Sequence, residues 1–195
     1  MLIRKFNEFV GIENYRLLTS NKNKLKEYGE YIPSLKSEEG RDLPEILSDP
    51  ISVAIYKGID NGPYTISEDT SLEVSGHDVG VNIKWLKHML PNMIGEDATW
   101  RVLLVRNTGD QIKVYEGVVE GKIMEKKEDG MSFSPYFYID TETGQKSLKE
   151  LRESNISPLI YSARAKAAQN LKNDNFVVVK DIKDIPEWEG EWQGE

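Results

Sequence analysis

Apolar and polar positions along this chain recur with two periods, one near 3.6 residues and one of two. Residues 15–20 read as a short strand. Residues 21–31 follow as a helix, with Leu25 and Tyr28 at i, i+3 spacing on one face. Pro50, whose fixed φ suits a first helical turn, opens a second helix that runs through 51–59. Asn61-Gly62-Pro63 is turn punctuation, and residues 64–67 read as the next strand. Strand, helix, helix, strand is an α/β pattern. Residues 82–90 predict a helix with Ile83, Leu86 and Leu90 on one face, stopped by Pro91. Residues 100–106 and 111–120 predict a hairpin about Thr108-Gly109-Asp110. Strands at 136–139 and 176–180 and helices at 147–153 and 162–171 complete the reading. No internal repeat is visible.

Composition narrows the classes. A chain of 195 residues suits one domain and buries roughly 70% of its unfolded surface on folding. Lys plus Arg number 25 against 33 Asp plus Glu, a net charge of -8. That balance argues against a general binder of nucleic acid or anionic membrane. No stretch approaches the roughly 18 apolar residues of a membrane span. The charged start, Met1 to Glu8, lacks the apolar run of a signal peptide, so a cytoplasmic protein is expected. The absence of cysteine removes disulfides, thiolate zinc sites and thiol nucleophiles. With His77 and His88 as its only histidines, the chain offers no multi-histidine metal cage.

The chain divides into a main domain, residues 1–180, and a tail, 181–195, rich in acidic residues and carrying Trp188 and Trp192. Such a tail reads as solvated and partly docked by its aromatics, or else as a peptide for a partner. On the first reading, deleting residues 185–195 leaves activity largely intact.

Three polar clusters could carry chemistry. Thr19-Ser20-Asn21-Lys22-Asn23-Lys24 stands where a strand becomes a helix, so free backbone N–H groups, a hydroxyl, an amide and lysines meet there. It holds no glycine and is not a Walker loop. On this segment alone, plain capping by Ser20 or Asn21 with solvated lysines is the favoured reading. Ser67-Glu68-Asp69-Thr70-Ser71-Leu72 stands at the C-terminal end of a predicted strand, where α/β ligand sites gather. Its paired carboxylates suit Mg²⁺, or one ligand plus one base, and also suit a polar turn. Asp42-Leu43-Pro44-Glu45 puts a carboxylate on a proline-fixed loop, and Lys57 lies on an otherwise apolar helix.

In this order, the segments resemble the inosine/xanthosine triphosphate pyrophosphatases, enzymes that remove deaminated purine nucleotides. The Thr-x-Asn-x-x-Lys motif of that family is matched by Thr19, Asn21 and Lys24, and its Leu-Pro-Glu loop by Leu43-Pro44-Glu45. Its helix lysine is matched by Lys57, and its acidic segment by Glu68-Asp69-Thr70-Ser71-Leu72. Asn82-Ile83-Lys84-Trp85-Leu86 resembles its Tyr-Ile-Lys-Trp-Phe helix, and Ser162-Ala163-Arg164 its Ser-His-Arg motif. The resemblance covers residues 15–172. It implies an α/β fold with an elongated mixed sheet flanked by helices, two lobes with a central cleft, and a homodimer. It also implies Mg²⁺-dependent hydrolysis of a nucleoside triphosphate to the monophosphate and pyrophosphate. Glu45 and Asp69 would hold the metal, and Asp69 or Glu68 would orient or deprotonate water. Thr19, Asn21, Lys24 and Lys57 would bind phosphate, and Ser162 and Arg164 would line the substrate.

The departures fall in the base-reading half. The family's Phe-Gly-Tyr/Trp-Asp-Pro is here Met131-Ser132-Phe133-Ser134-Pro135, with Ser134 in place of the aspartate. Pro158 stands near the position of a family lysine, and Ala163 replaces the histidine. A pyrophosphatase with altered base preference is the expectation. The alternative is a nucleotide-binding or regulatory protein of weak turnover on the same fold.

Overall fold

The computed structural model describes residues 11–40, 43–127, 129–130 and 132–193. Asp42, Met131 and the last two residues of the tail lie outside them, as do residues 1–10.

Among the described residues, nine strands form one mixed sheet. In chain order they are β1 (Arg16–Leu18), β2 (Lys36–Glu38), β3 (Thr65–Val74), β4 (His77–Gly80) and β5 (Asp97–Asn107). The others are β6 (Gln111–Ile123), β7 (Phe137–Thr141), β8 (Gly144–Ser147) and β9 (Val178–Asp181). The sheet runs β2-β1-β3-β5-β6-β7-β8, with β4 added to β3 and β9 to β6. β1 is parallel to both β2 and β3, and every other pairing is antiparallel. The flanking helices are α1 (Lys22–Tyr31), α2 (Pro50–Asp60), α3 (Ile83–Leu86), α4 (Leu148–Glu153), α5 (Pro158–Tyr161) and α6 (Ala163–Lys172). No described helix is long and apolar enough to cross a membrane.

The parallel pairings decide which face each helix covers. From β1 the chain steps outward through α1 to β2, then back through α2 to β3. Crossovers of one hand in opposite directions put their helices on opposite faces. Accordingly Tyr28 of α1 joins α6, Ile66, Leu72, Val102 and Leu104 in the large core. Ala54 and Ile55 of α2 join Leu103, Val105, Ile112 and Val114 in a smaller core on the other face. The alternation of Val102, Leu103, Leu104 and Val105 between the two cores is the period-two signature of a strand buried on both sides.

Local chemistry sets the helix starts. Asn21 and Asp49 cap α1 and α2 through their side-chain oxygens, and Ser147 caps α4 in a reciprocal capping box with Glu150. Three expectations change. The strand expected to end at Ser67 continues to Val74. The helix expected over 82–90 is the short α3 followed by a 3-10 turn, Lys87–Met93, that contains Pro91, since the ring's fixed φ is one such a turn shares. β2, β4 and β8 carry few apolar residues and gave no alternating signal.

At Gly117 on β6 the sheet touches the α6 backbone. A Cβ there would stand 2.0 Å from the Ala163 carbonyl oxygen and 2.5 Å from the Ala167 nitrogen. Only a residue without a side chain lets helix and strand approach so closely. We expect Gly117→Ala to cost about 3 kcal/mol, the upper part of the overpacking range, because a helix backbone must move. Urea unfolding measures this, and an unchanged midpoint would contradict the contact.

Candidate active site

The site lies at a gap in the sheet. β1 pairs with β3 only over Thr65–Ser67, and β4 pairs with the same edge from Leu72 onward. Between them, Glu68 to Ser71 have a strand neighbour on the β5 side alone among the described residues. A cleft of about 580 Å³ opens at this gap, where parallel pairing ends, a place that gathers ligand sites in α/β sheets.

Because β3 is continuous, its side chains alternate, and Glu68 and Asp69 leave it on opposite faces. Glu68 points to the α1 and α6 side. Its oxygens meet Lys24 Nζ at 3.1 Å and Arg164 Nε at 3.5 Å, and the Thr70 hydroxyl donates to it as well. Burial opposes its charge, but Lys24, Arg164 and the Thr70 hydrogen bond outweigh burial and bring its pKa down to about 2. Arg164 also reaches Glu27 at 3.3 Å and lies over the Trp100 ring, 5.4 Å from its centroid.

Asp69 points to the α2 side. The Lys57 ammonium there donates to Glu45 Oε1 at 2.5 Å and to Asp69 Oδ1 at 3.2 Å. Burial and the neighbouring Glu45 charge raise the Asp69 pKa against the pull of Lys57. Burial also opposes the Lys57 charge, but the two carboxylates overcome it and hold the ammonium protonated.

Of the residues the sequence nominates, Asn21, Lys24, Glu45, Lys57, Asp69 and Arg164 line this one cleft. Thr19, Glu68 and Ser162 do not. The Thr19 hydroxyl accepts from the Asn21 N–H. Glu68 has a side-chain exposure of 0% and lies behind Lys24 and Arg164. Ser162 accepts from Ala165 N and from the Tyr31 hydroxyl, at the start of α6. Asn21 caps α1 as well as lining the cleft, so both of its sequence readings have a physical basis. Sequence reasoning missed Glu27, Trp100, Lys149 and Arg152, which also line it. Glu27 had a signal, since it stands three positions after Lys24 on one helix face. Trp100 had none, because a strand tryptophan reads as core.

The residues present fit a hard divalent cation in a limited way. Glu45 and Asp69 already share one cation, the Lys57 ammonium, so their oxygens converge on a positive charge. Mg²⁺ takes oxygen ligands and keeps several waters, using one or two carboxylates with substrate phosphates. Among the described residues no group of three or more acidic or histidine side chains could hold a metal. Water and phosphate would therefore supply the other ligands.

A mixed sheet whose open edge gathers lysines, an arginine and two converging carboxylates defines an α/β protein with a charged cleft at that edge. The chain belongs to the Ham1 family, whose model matches residues 15–174. Ham1 proteins are nucleoside triphosphate pyrophosphatases, hydrolases of nucleotide metabolism. The structure is similar to that of the Staphylococcus aureus Ham1 protein, with a TM-score of 0.58 and 21% sequence identity, over 82% of this chain and 97% of that one. No curated protein matches the chain in sequence.

Glu68 makes the fold acid-sensitive in a defined window. Its pKa is lower in the fold than the ordinary 4.5, so its ionised form stabilises the protein above about pH 4.5. That contribution is lost as pH falls from there towards 2. We expect Glu68→Gln to cost roughly 3–5 kcal/mol at neutral pH, as when one partner of a buried ion pair is removed. It should also flatten the fall in stability below pH 4.5, measured by denaturant unfolding across pH. An unaltered acid limb would contradict the assignment.

Proposed function

We propose that this protein hydrolyses a nucleoside triphosphate, a deaminated or modified purine nucleotide, to the monophosphate and pyrophosphate, with Mg²⁺. The observation that carries the reading is the convergence of Glu45 and Asp69 on Lys57 beside Lys24, at the gap in the sheet edge. Lys24, Asn21 and Lys57 bind the triphosphate. Glu45 and Asp69 hold the metal, which when bound spreads the charge that accumulates on the phosphates. Asp69 orients a water towards the α-phosphorus and accepts its proton. A new oxygen–phosphorus bond forms, the bond from the α-phosphorus to the α–β bridging oxygen breaks, and pyrophosphate leaves with the bonding pair. Glu68 acts as a positioning residue, fixing Lys24 on one side and Arg164 on the other. The resemblance further supports a cytoplasmic homodimer.

At the base-reading end, Arg164 and Trp100 offer a cation and an aromatic wall. Ala163 is fully buried and supplies no side-chain donor, and Ser134 lines the cleft where the family has aspartate. Sites built around a hydrogen bond to the substrate reject analogues by about 10⁴-fold, while shape alone gives about 10²-fold.

Two measurements test this reading. A screen of common, deaminated and modified triphosphates with Mg²⁺ should release pyrophosphate, and Asp69→Asn should lower the rate at least about 100-fold. Orthophosphate as the primary product, or near-normal turnover by that variant, would refute it. The ratio of kcat/KM for inosine over adenosine triphosphate should stay near or below about 10²-fold. A ratio near 10⁴ would show that a base-reading hydrogen bond persists.

A further inference from the structure

Residues 175–193 lie beyond the span matched by the Ham1 family model, yet the last of them pair with the segment that carries Glu45. β9 pairs with β6, and Ile182 and Ile185 pack on the α2-side core. The Tyr56 hydroxyl then donates to the Pro186 carbonyl at 2.8 Å, and the Trp188 ring meets the Tyr56 ring edge-on at 5.5 Å. The Trp188 ring folds over Gly190, where a Cβ would stand 2.4 Å from it, and its indole N–H donates to the Glu191 carbonyl. That carbonyl also accepts from Leu47 N at 2.9 Å. Gln193 N donates to the Glu45 carbonyl at 2.8 Å, and the Gln193 amide to the Ile46 carbonyl at 3.0 Å. Ile46 and Trp192 thus form an antiparallel bridge.

These bonds fall on the segment that carries Glu45. Among the described residues, every backbone hydrogen bond made by residues 43–48 goes to the tail. Backbone partners confined to one other segment couple the order of this loop to the docking of that segment. Glu187, Glu189 and Glu191 are exposed, Trp188 and Trp192 are half-buried, and none of the five lines the cleft.

We propose that residues 186–193 are a positioning strap that holds Glu45 against Lys57 and Asp69. This role rests on the reading of Glu45 as a metal ligand. It reverses the expectation that the tail is dispensable. The strap acts through Glu45 and touches neither substrate nor the reacting atoms.

The test uses the full chain with Trp188→Ala and Trp188→Phe, alone and with Glu45→Gln. Amide exchange is followed over residues 43–48, and Mn²⁺ affinity by the EPR signal of the free ion. The Mg²⁺ dependence of pyrophosphate release is measured in parallel. Trp188→Ala should speed exchange at Leu47 while α2 and β3 stay protected. It should weaken Mn²⁺ binding and raise the half-saturating Mg²⁺ by about 10-fold, the equivalent of ~1.4 kcal/mol of lost positioning, with kcat at saturating Mg²⁺ nearly unchanged. Trp188→Phe should recover most of the loss, and Trp188→Ala should add nothing in the Glu45→Gln background. Unchanged exchange at residues 43–48 would overturn the strap. Faster exchange with unchanged Mn²⁺ and Mg²⁺ dependence would make the contact purely structural and overturn the positioning role. If the unaltered chain released no pyrophosphate, the hydrolysis reading would fail, and exchange and Mn²⁺ binding would still decide the strap.

Discussion

A buried strand cannot aim two consecutive side chains at the same point, and neither of two consecutive buried carboxylates can stay ionised without a cation of its own. β3 carries Glu68 and Asp69 in that situation. The protein answers with two cation sets, one on each face of the sheet. Lys24 and Arg164 reach Glu68 from α1 and from the start of α6, and Lys57 reaches Asp69 from α2. The placement of α1 and α2 on opposite faces follows from the opposite directions of their crossovers. The topology and the charge balance are therefore one constraint seen twice.

The two carboxylates consequently differ in character. Glu68 is enclosed, fully paired and held strongly acidic, which suits a fixed counter-ion. Asp69 faces the cleft beside a second carboxylate and has a raised pKa, which suits exchange of partners. Glu27 extends the first network to Arg164 and Arg152. Movement of any one of these side chains is felt along the whole chain of charges.

Much of this organisation was legible in the sequence. The period of α1, the proline that opens α2, the long β5–β6 hairpin and the ordered motifs around Lys24, Glu45, Lys57 and Asp69 all carry local signals. The continuation of β3 through Ser67-Glu68-Asp69-Thr70-Ser71 does not. Five polar residues in a row read as a turn, and only distant cations make their burial tolerable. β2 is equally silent, because an exposed edge strand of Lys36-Ser37-Glu38 needs no apolar face. The pairing of Glu191 and Gln193 with residues 45–47 runs mainly through main-chain atoms, which leave no trace in side-chain pattern, with one added bond from the Gln193 amide to the Ile46 carbonyl.

That last pairing has a consequence for how the molecule comes into being. Ile46 and Gln193 are 147 positions apart, so the contact closes a loop that spans most of the chain. Contacts of such separation come late, because the entropy of the intervening chain must be surrendered before they contribute. The hairpins and the cover on both faces of the sheet can therefore form before residues 186–193 reach the Glu45 segment. The Glu45 segment then gains its backbone partners last. Completion of the cleft is then a late step of folding, and a molecule in which that pairing has not yet formed is a folded body with an unfinished pocket.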